Sequence, residues 1–116
     1  MSSRSEGTKI QDILRSITSI QQRTVGLDFQ DFCEDETTQK AVLYDLIIIG
    51  EAAKSISPNT QAKAPNIPWQ LMGDMRNIIA HEYFQVNLKV TWSTVKNNLP
   101  TVIEPLKNLL RNLEEA

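Results

Sequence analysis

The segment from Thr37 to Ser55 has a helical pattern but carries the run Leu46-Ile47-Ile48-Ile49, so its apolar side chains point all the way round rather than along one stripe. Such a helix has to be covered on two sides. A chain of 116 residues is one domain by length and has few elements with which to cover it. The surplus face predicts a homodimer; a crowded monomeric core is the other solution. Gly50 weakens a helix interior and fits there if another backbone comes close.

The remaining pattern is also helical. Ile10, Ile13, Leu14, Ile17 and Ile20 form one stripe of a helix ending near Gly26, preceded by a polar tail over residues 1–7. Asp28, Asp31, Glu34, Asp35 and Glu36 read as an acidic loop, with Asp35 or Glu36 favouring the next helix start through its dipole. Pro58, Pro65 and Pro68 make a second loop. Trp69 then opens a helix to about Glu82, with Leu71, Met72, Met75, Ile78 and Ile79 on its buried side. Asn87 caps a last helical region that holds its period from Leu88 through Trp92, Val95, Leu99 and Val102 to Leu113, where Pro100 and Pro105 must kink or split it. No alternating β pattern occurs. Residues 1–116 are therefore expected to form a single all-α domain, an up-and-down bundle of four to five helices.

Composition narrows the function classes. No apolar run approaches the roughly 20 residues that span a bilayer, and no basic start leads into an apolar signal region. With Cys33 as the single cysteine no internal disulfide forms, so a soluble protein of the cytoplasm is expected, with Cys33 half-buried and structural. The formal net charge of −2 argues against bulk coating of nucleic acid. Lys89, Lys96, Lys107 and Arg111 against Glu104 alone leave the stretch from Phe84 to Leu113 locally basic: either a wall beside a site, or an ordinary solvated face.

One octapeptide carries chemistry: Arg76-Asn77-Ile78-Ile79-Ala80-His81-Glu82-Tyr83, in which His81 is the only histidine of the chain. Guanidinium, imidazole and phenol within two helical turns combine a phosphate clamp, a near-neutral acid or base and a nucleophilic hydroxyl. The ordinary readings are a surface histidine, an Arg76 paired with Asp74 or Glu82, and a half-buried Tyr83. At about 100° per residue, Arg76 and Tyr83 share a face while His81 stands roughly 140° from Arg76. Convergence requires that the helix end or distort at His81, that Arg76 reach across, or that a second subunit supply the missing group. Asn77, one turn before His81, is placed to hydrogen-bond the imidazole. With no second His or Cys near the motif, no metal and no cofactor is expected. Glu51 is a candidate to approach the site, or a solvated residue of its helix.

The spacing from Arg76 to His81 to Tyr83 resembles the signature of HEPN-domain ribonucleases, and the surrounding text is most similar to their HepT-like toxin branch. Tyr44-Asp45-Leu46-Ile47-Ile48-Ile49-Gly50-Glu51-Ala52 resembles that branch's second helix, and Ile67-Pro68-Trp69 the entry to its motif helix. Trp92 and Leu99-Pro100 fit its last helical region, so the resemblance runs from about Ile10 to Leu113. It implies a helical dimer with a composite site that cleaves RNA without metal. His81 would act as acid and base, Arg76 would bind the scissile phosphate and Tyr83 would position substrate, with Asn77 in the supporting place that helical spacing gives it. It further implies the toxin of a type VII-like toxin–antitoxin pair, silenced when a minimal nucleotidyltransferase antitoxin transfers AMP to Tyr83. Two other readings stay open: a non-catalytic module that binds nucleotide or protein, and a purely structural helical dimer.

Overall fold

The computed structural model describes residues 5–115, and among these there is no β-strand. Seven α-helices follow in order: α1 Glu6–Thr24, α2 Phe29–Glu34, α3 Glu36–Ser55, α4 Pro58–Ala62, α5 Trp69–His81, α6 Leu88–Ser93 and α7 Leu99–Glu115. The all-α expectation holds, with two short helices beyond the four to five expected. No helix among the described residues is long and apolar enough to cross a membrane.

Helix α3 lies between α1 and α5, and α1 in turn packs on α7. That arrangement accounts for the all-round apolar run within one chain: Leu46 and Ile49 are buried, while Ile47 and Ile48 are half-buried. The core combines Ile10, Ile13, Ile17 and Ile20 of α1 with Val42, Leu43, Leu46 and Ile49 of α3, Ile79 of α5, and Val102, Leu106 and Leu109 of α7. The premise that α3 lacks neighbours of its own is thereby corrected.

Several boundaries differ from the sequence reading. Within the expected tail, Met1–Arg4 lie outside the described residues, but Ser5 caps α1 by accepting from Thr8 N, and Glu6 and Gly7 are already helical. The acidic loop contains α2, because Asp28 and Asp31 form a reciprocal capping box. Phe29 and Phe32 then anchor α2 through ring contacts with Trp92, at centroid distances of 6.5 and 5.1 Å. Asp35 caps α3 by accepting from Thr38 N, as its position predicted. The expected Pro-rich loop begins with α4, where Ser57 is the cap and Pro58 takes the first turn, a place that needs no backbone donor. Neither Pro100 nor Pro105 ends the last helical run. A π-helical turn, Thr94–Asn98, joins α6 to α7 with Leu99 N donating to Thr94 O; widening the helix just before Pro100 makes room for its ring. Cys33 is exposed rather than half-buried.

Candidate active site

The groove between α3 and α5 gathers the chemistry, and its closeness is set by Gly50. A Cβ on Gly50 would fall 2.2 Å from Arg76 Cβ and 2.7 Å from the Met72 carbonyl oxygen. The close backbone approach expected at this glycine comes from α5 of the same chain. Gly73 is its counterpart on α5, where a Cβ would lie 2.7 Å from Lys54 Cγ. Upstream, the Trp69 indole N–H donates to Ala64 O at 3.1 Å and fixes the start of α5.

Arg76 is held from both helices. One terminal nitrogen pairs with Glu51 of α3, and the other donates to Asn77 Oδ1 at 3.1 Å. Among the described residues its Nε is buried without a partner. A guanidinium has five N–H donors, so each terminal nitrogen keeps one N–H for a ligand. The ordinary pairings with Asp74 or Glu82 do not occur; Glu51 is the partner instead. Asn77 Oδ1 receives a second donor, Lys54 Nζ, at 3.0 Å. Asn77 thus makes its bonds to two cations, and among the described residues the hydrogen bond expected from it to His81 is absent.

His81 is the last residue of α5, and Glu82 closes the helix by donating its N–H to Ile78 O at 2.8 Å. A 3₁₀ turn, Tyr83–Gln85, follows. Of the three routes to convergence, the helix does end at His81. Even so, the exposed imidazole makes no hydrogen bond to Arg76 within this chain, which leans toward α3. Tyr83 is partly exposed, its ring edge-on to that of Phe84 at 5.5 Å. The structure therefore joins Arg76, Asn77 and Glu51 into one network and places His81 and Tyr83 beyond it at the open end of the groove.

The buried side of α5 is narrower than its sequence reads. Ile79 is buried and Met72 and Met75 are half-buried, but Leu71 and Ile78 are 67% and 52% exposed. Lys54 was not picked out by the sequence, although it falls four residues after Gly50 and three after Glu51, on the same helical face. Among the described residues no three His, Cys, Asp or Glu side chains gather as a metal ligand set.

A family profile described as ribonuclease HepT-like matches residues 13–109. The chain belongs to that family. An inferred ribonuclease HepT of Thermococcus cleftensis is 40% identical over 99 residues, covering 85% of this chain and 90% of the relative. An inferred RNase of Methanocaldococcus jannaschii is 34% identical over 103 residues, covering 89% of this chain and 85% of its own. Another from Caldanaerobacter subterraneus is 31% identical over 102 residues, covering 88% and 91%. No solved structure matches with significance. For a HepT-like protein, the helical bundle and the placement of the octapeptide on α5 and its terminal turn agree with the resemblance read from the sequence.

Proposed function

We propose that this HepT-like chain is a metal-independent endoribonuclease. The observation that carries the reading is the placement of Arg76, His81 and Tyr83 along α5 and its closing turn in a chain whose relatives are named as ribonucleases. Cleavage of RNA needs the 2′-hydroxyl deprotonated, the departing 5′-oxygen protonated and the charge of the phosphorane stabilised. Arg76, braced by Glu51 and Asn77, offers one N–H from each terminal nitrogen to the phosphate. His81 moves the protons, and a single imidazole cannot serve comfortably as base and acid together. A two-fold axis beside α5 solves this by bringing two copies of His81 to one cleft. Tyr83 positions the RNA.

The same tyrosine supplies control. Its partial exposure on the turn after α5 leaves it within reach of another enzyme. AMP transferred to its oxygen by a partner nucleotidyltransferase would add a negative charge where the RNA phosphate has to sit. On this reading the chain is the growth-arresting half of a toxin–antitoxin pair and acts in the cytoplasm.

The purified chain with single-stranded RNA tests the proposal. Arg76→Ala and His81→Ala are expected to lower the cleavage rate at least about 100-fold with wild-type circular dichroism, and EDTA to leave it unchanged. Full activity in His81→Ala, or loss on chelation, overturns the mechanism. In a second arm with ATP, Mg²⁺ and a minimal nucleotidyltransferase, intact mass is expected to rise by one AMP residue mapped to Tyr83. An adduct on Tyr44, or an adduct at Tyr83 that leaves cleavage intact, rejects the control.

A further inference from the structure

Beside the Arg76–Asn77 pair, a cleft of about 240 Å³ opens between the end of α3 and the first half of α5, with Lys54, Trp69, Gly73, Asp74 and Asn77 among its walls. Lys54 is laid across Gly73, whose missing side chain gives its stem room. Its ammonium ends 3.0 Å from the Asn77 oxygen that also receives Arg76 at 3.1 Å. Two cations thus converge on one neutral acceptor. Arg76 is countered by Glu51, whereas Lys54 makes no ion pair among the described residues. Like charges meeting at a neutral atom repel, and negative charge brought up to either cation relieves the repulsion. The ammonium has three donors and spends one on Asn77, which leaves two for an anion. Lys54 is also solvent-exposed, so a ligand reaches it without rearrangement of the fold.

The rest of the cleft suits the nucleoside attached to such an anion. The Lys54 stem fills the space that Gly73 leaves and gives the cleft an apolar floor there. The Trp69 indole N–H is already taken by Ala64 O, so its accessible edge offers apolar contact only. Asp74 accepts from Gln70 through Oδ1 at 2.9 Å and keeps its other oxygen for a donor such as a base amino group. Asp74 disfavours a second phosphate, which directs the phosphate to the Lys54 and Asn77 end.

We propose that Lys54 is a substrate-binding cation of this site, holding the RNA phosphate next to the one bound at Arg76, with the intervening nucleoside seated in the cleft over Gly73. This rests on the ribonuclease reading above. The test is equilibrium binding of a cleavage-resistant 2′-O-methyl RNA oligonucleotide by fluorescence anisotropy across a salt series, together with steady-state cleavage of unmodified RNA. Lys54→Gln removes the charge and keeps a neutral amide donor on a side chain one atom shorter. It is expected to weaken binding about tenfold and to reduce the magnitude of the slope of log K against log salt by about 0.7, the share of one phosphate on a single strand. KM rises and kcat stays within about twofold, since the reacting atoms are elsewhere. Lys54→Arg restores most of the affinity. Gly73→Ala, which displaces the Lys54 stem while keeping its charge, reproduces the loss. Wild-type affinity and salt slope in Lys54→Gln, in a preparation that melts normally and whose parent binds and cuts RNA, overturns the proposal. A wild-type chain that neither binds nor cuts RNA fails the ribonuclease reading itself, and this one with it.

Discussion

Gly50 shows how one residue sets the geometry of the site. The atoms that a side chain there would strike are a Cβ at 2.2 Å and a backbone carbonyl oxygen at 2.7 Å, neither of which yields without moving a helix. Gly50→Ala is therefore expected to push α5 off α3, at a cost of about 2–3 kcal/mol of stability and about 10 °C in melting temperature. It also draws Arg76 away from Glu51, so cleavage falls together with stability. A variant melting within about 2 °C of wild type would show that the helices are not this close. At this scale the sequence was informative where a residue type has few uses: a glycine in a helix pointed to close approach, and the sole histidine pointed to chemistry. It was silent on partners. Helical spacing points Asn77 at His81, yet Arg76 and Lys54 take its oxygen because α3 delivers a cation to it, and spacing along one helix carries no information about the facing one. Lys54 carries no signal in the sequence for the same reason, since it meets Asn77 only across the helix pair.

Among the elements, α1 and the α3–α4 junction are tied by one carboxylate. Glu6 accepts from Ser57 N at 2.8 Å and from Lys9 Nζ at 3.2 Å, and Lys9 also donates to Ser55 O at 2.7 Å. Burial pushes the Glu6 carboxyl up, but hydrogen bonds from the Ser57 side chain and backbone, Thr60 and Lys9 outweigh it and hold the group at about 2. A carboxyl depressed in the folded state contributes stability that is complete above its ordinary value of 4.5 and is lost as pH falls toward about 2. Glu6→Gln is expected to cost about 1–2 kcal/mol at neutral pH, allowing for partial solvent screening. The gap to wild type should close between pH 4.5 and about 2 in denaturant titrations. A gap that stays constant over that range would assign the loss to packing instead. The long helices are legible because their apolar periods are strong, whereas in α2 and α4 acidic residues and prolines give the pattern of a loop. Their signals were present in the capping residues Asp28 and Ser57 and in the Phe29 and Phe32 pair, which finds its cover only when Trp92 arrives from α6.

At the scale of the whole molecule, the case for a dimer moves from α3, which α1 and α5 cover, to the outer face of α5. Leu71, Met75 and Ile78 recur there at helical spacing, with Leu71 67% and Ile78 52% exposed, and the chain continues into Phe84 at 99%. Tyr44, on the half of α3 that runs antiparallel beside the end of α5, is 65% exposed. Large apolar side chains gathered on one side of a small protein mark an interaction surface. The chemistry adds a second reason, because His81 stands at that end of α5 apart from Arg76 of its own chain. A copy related by a two-fold axis along this face would both cover the stripe and bring a second imidazole and guanidinium to the cleft. Light scattering of the pure chain at micromolar concentration is expected to return twice the 13.1 kDa chain mass. Ile78→Glu places a charge on the stripe without touching the buried core. It is expected to give a folded 13.1 kDa monomer whose RNA cleavage drops by at least about 100-fold, the scale of losing one proton-transfer group. A wild-type monomer that cuts RNA, or an Ile78→Glu monomer at full rate, would confine the chemistry to one chain and require Arg76 to leave Glu51 and cross to His81 within it.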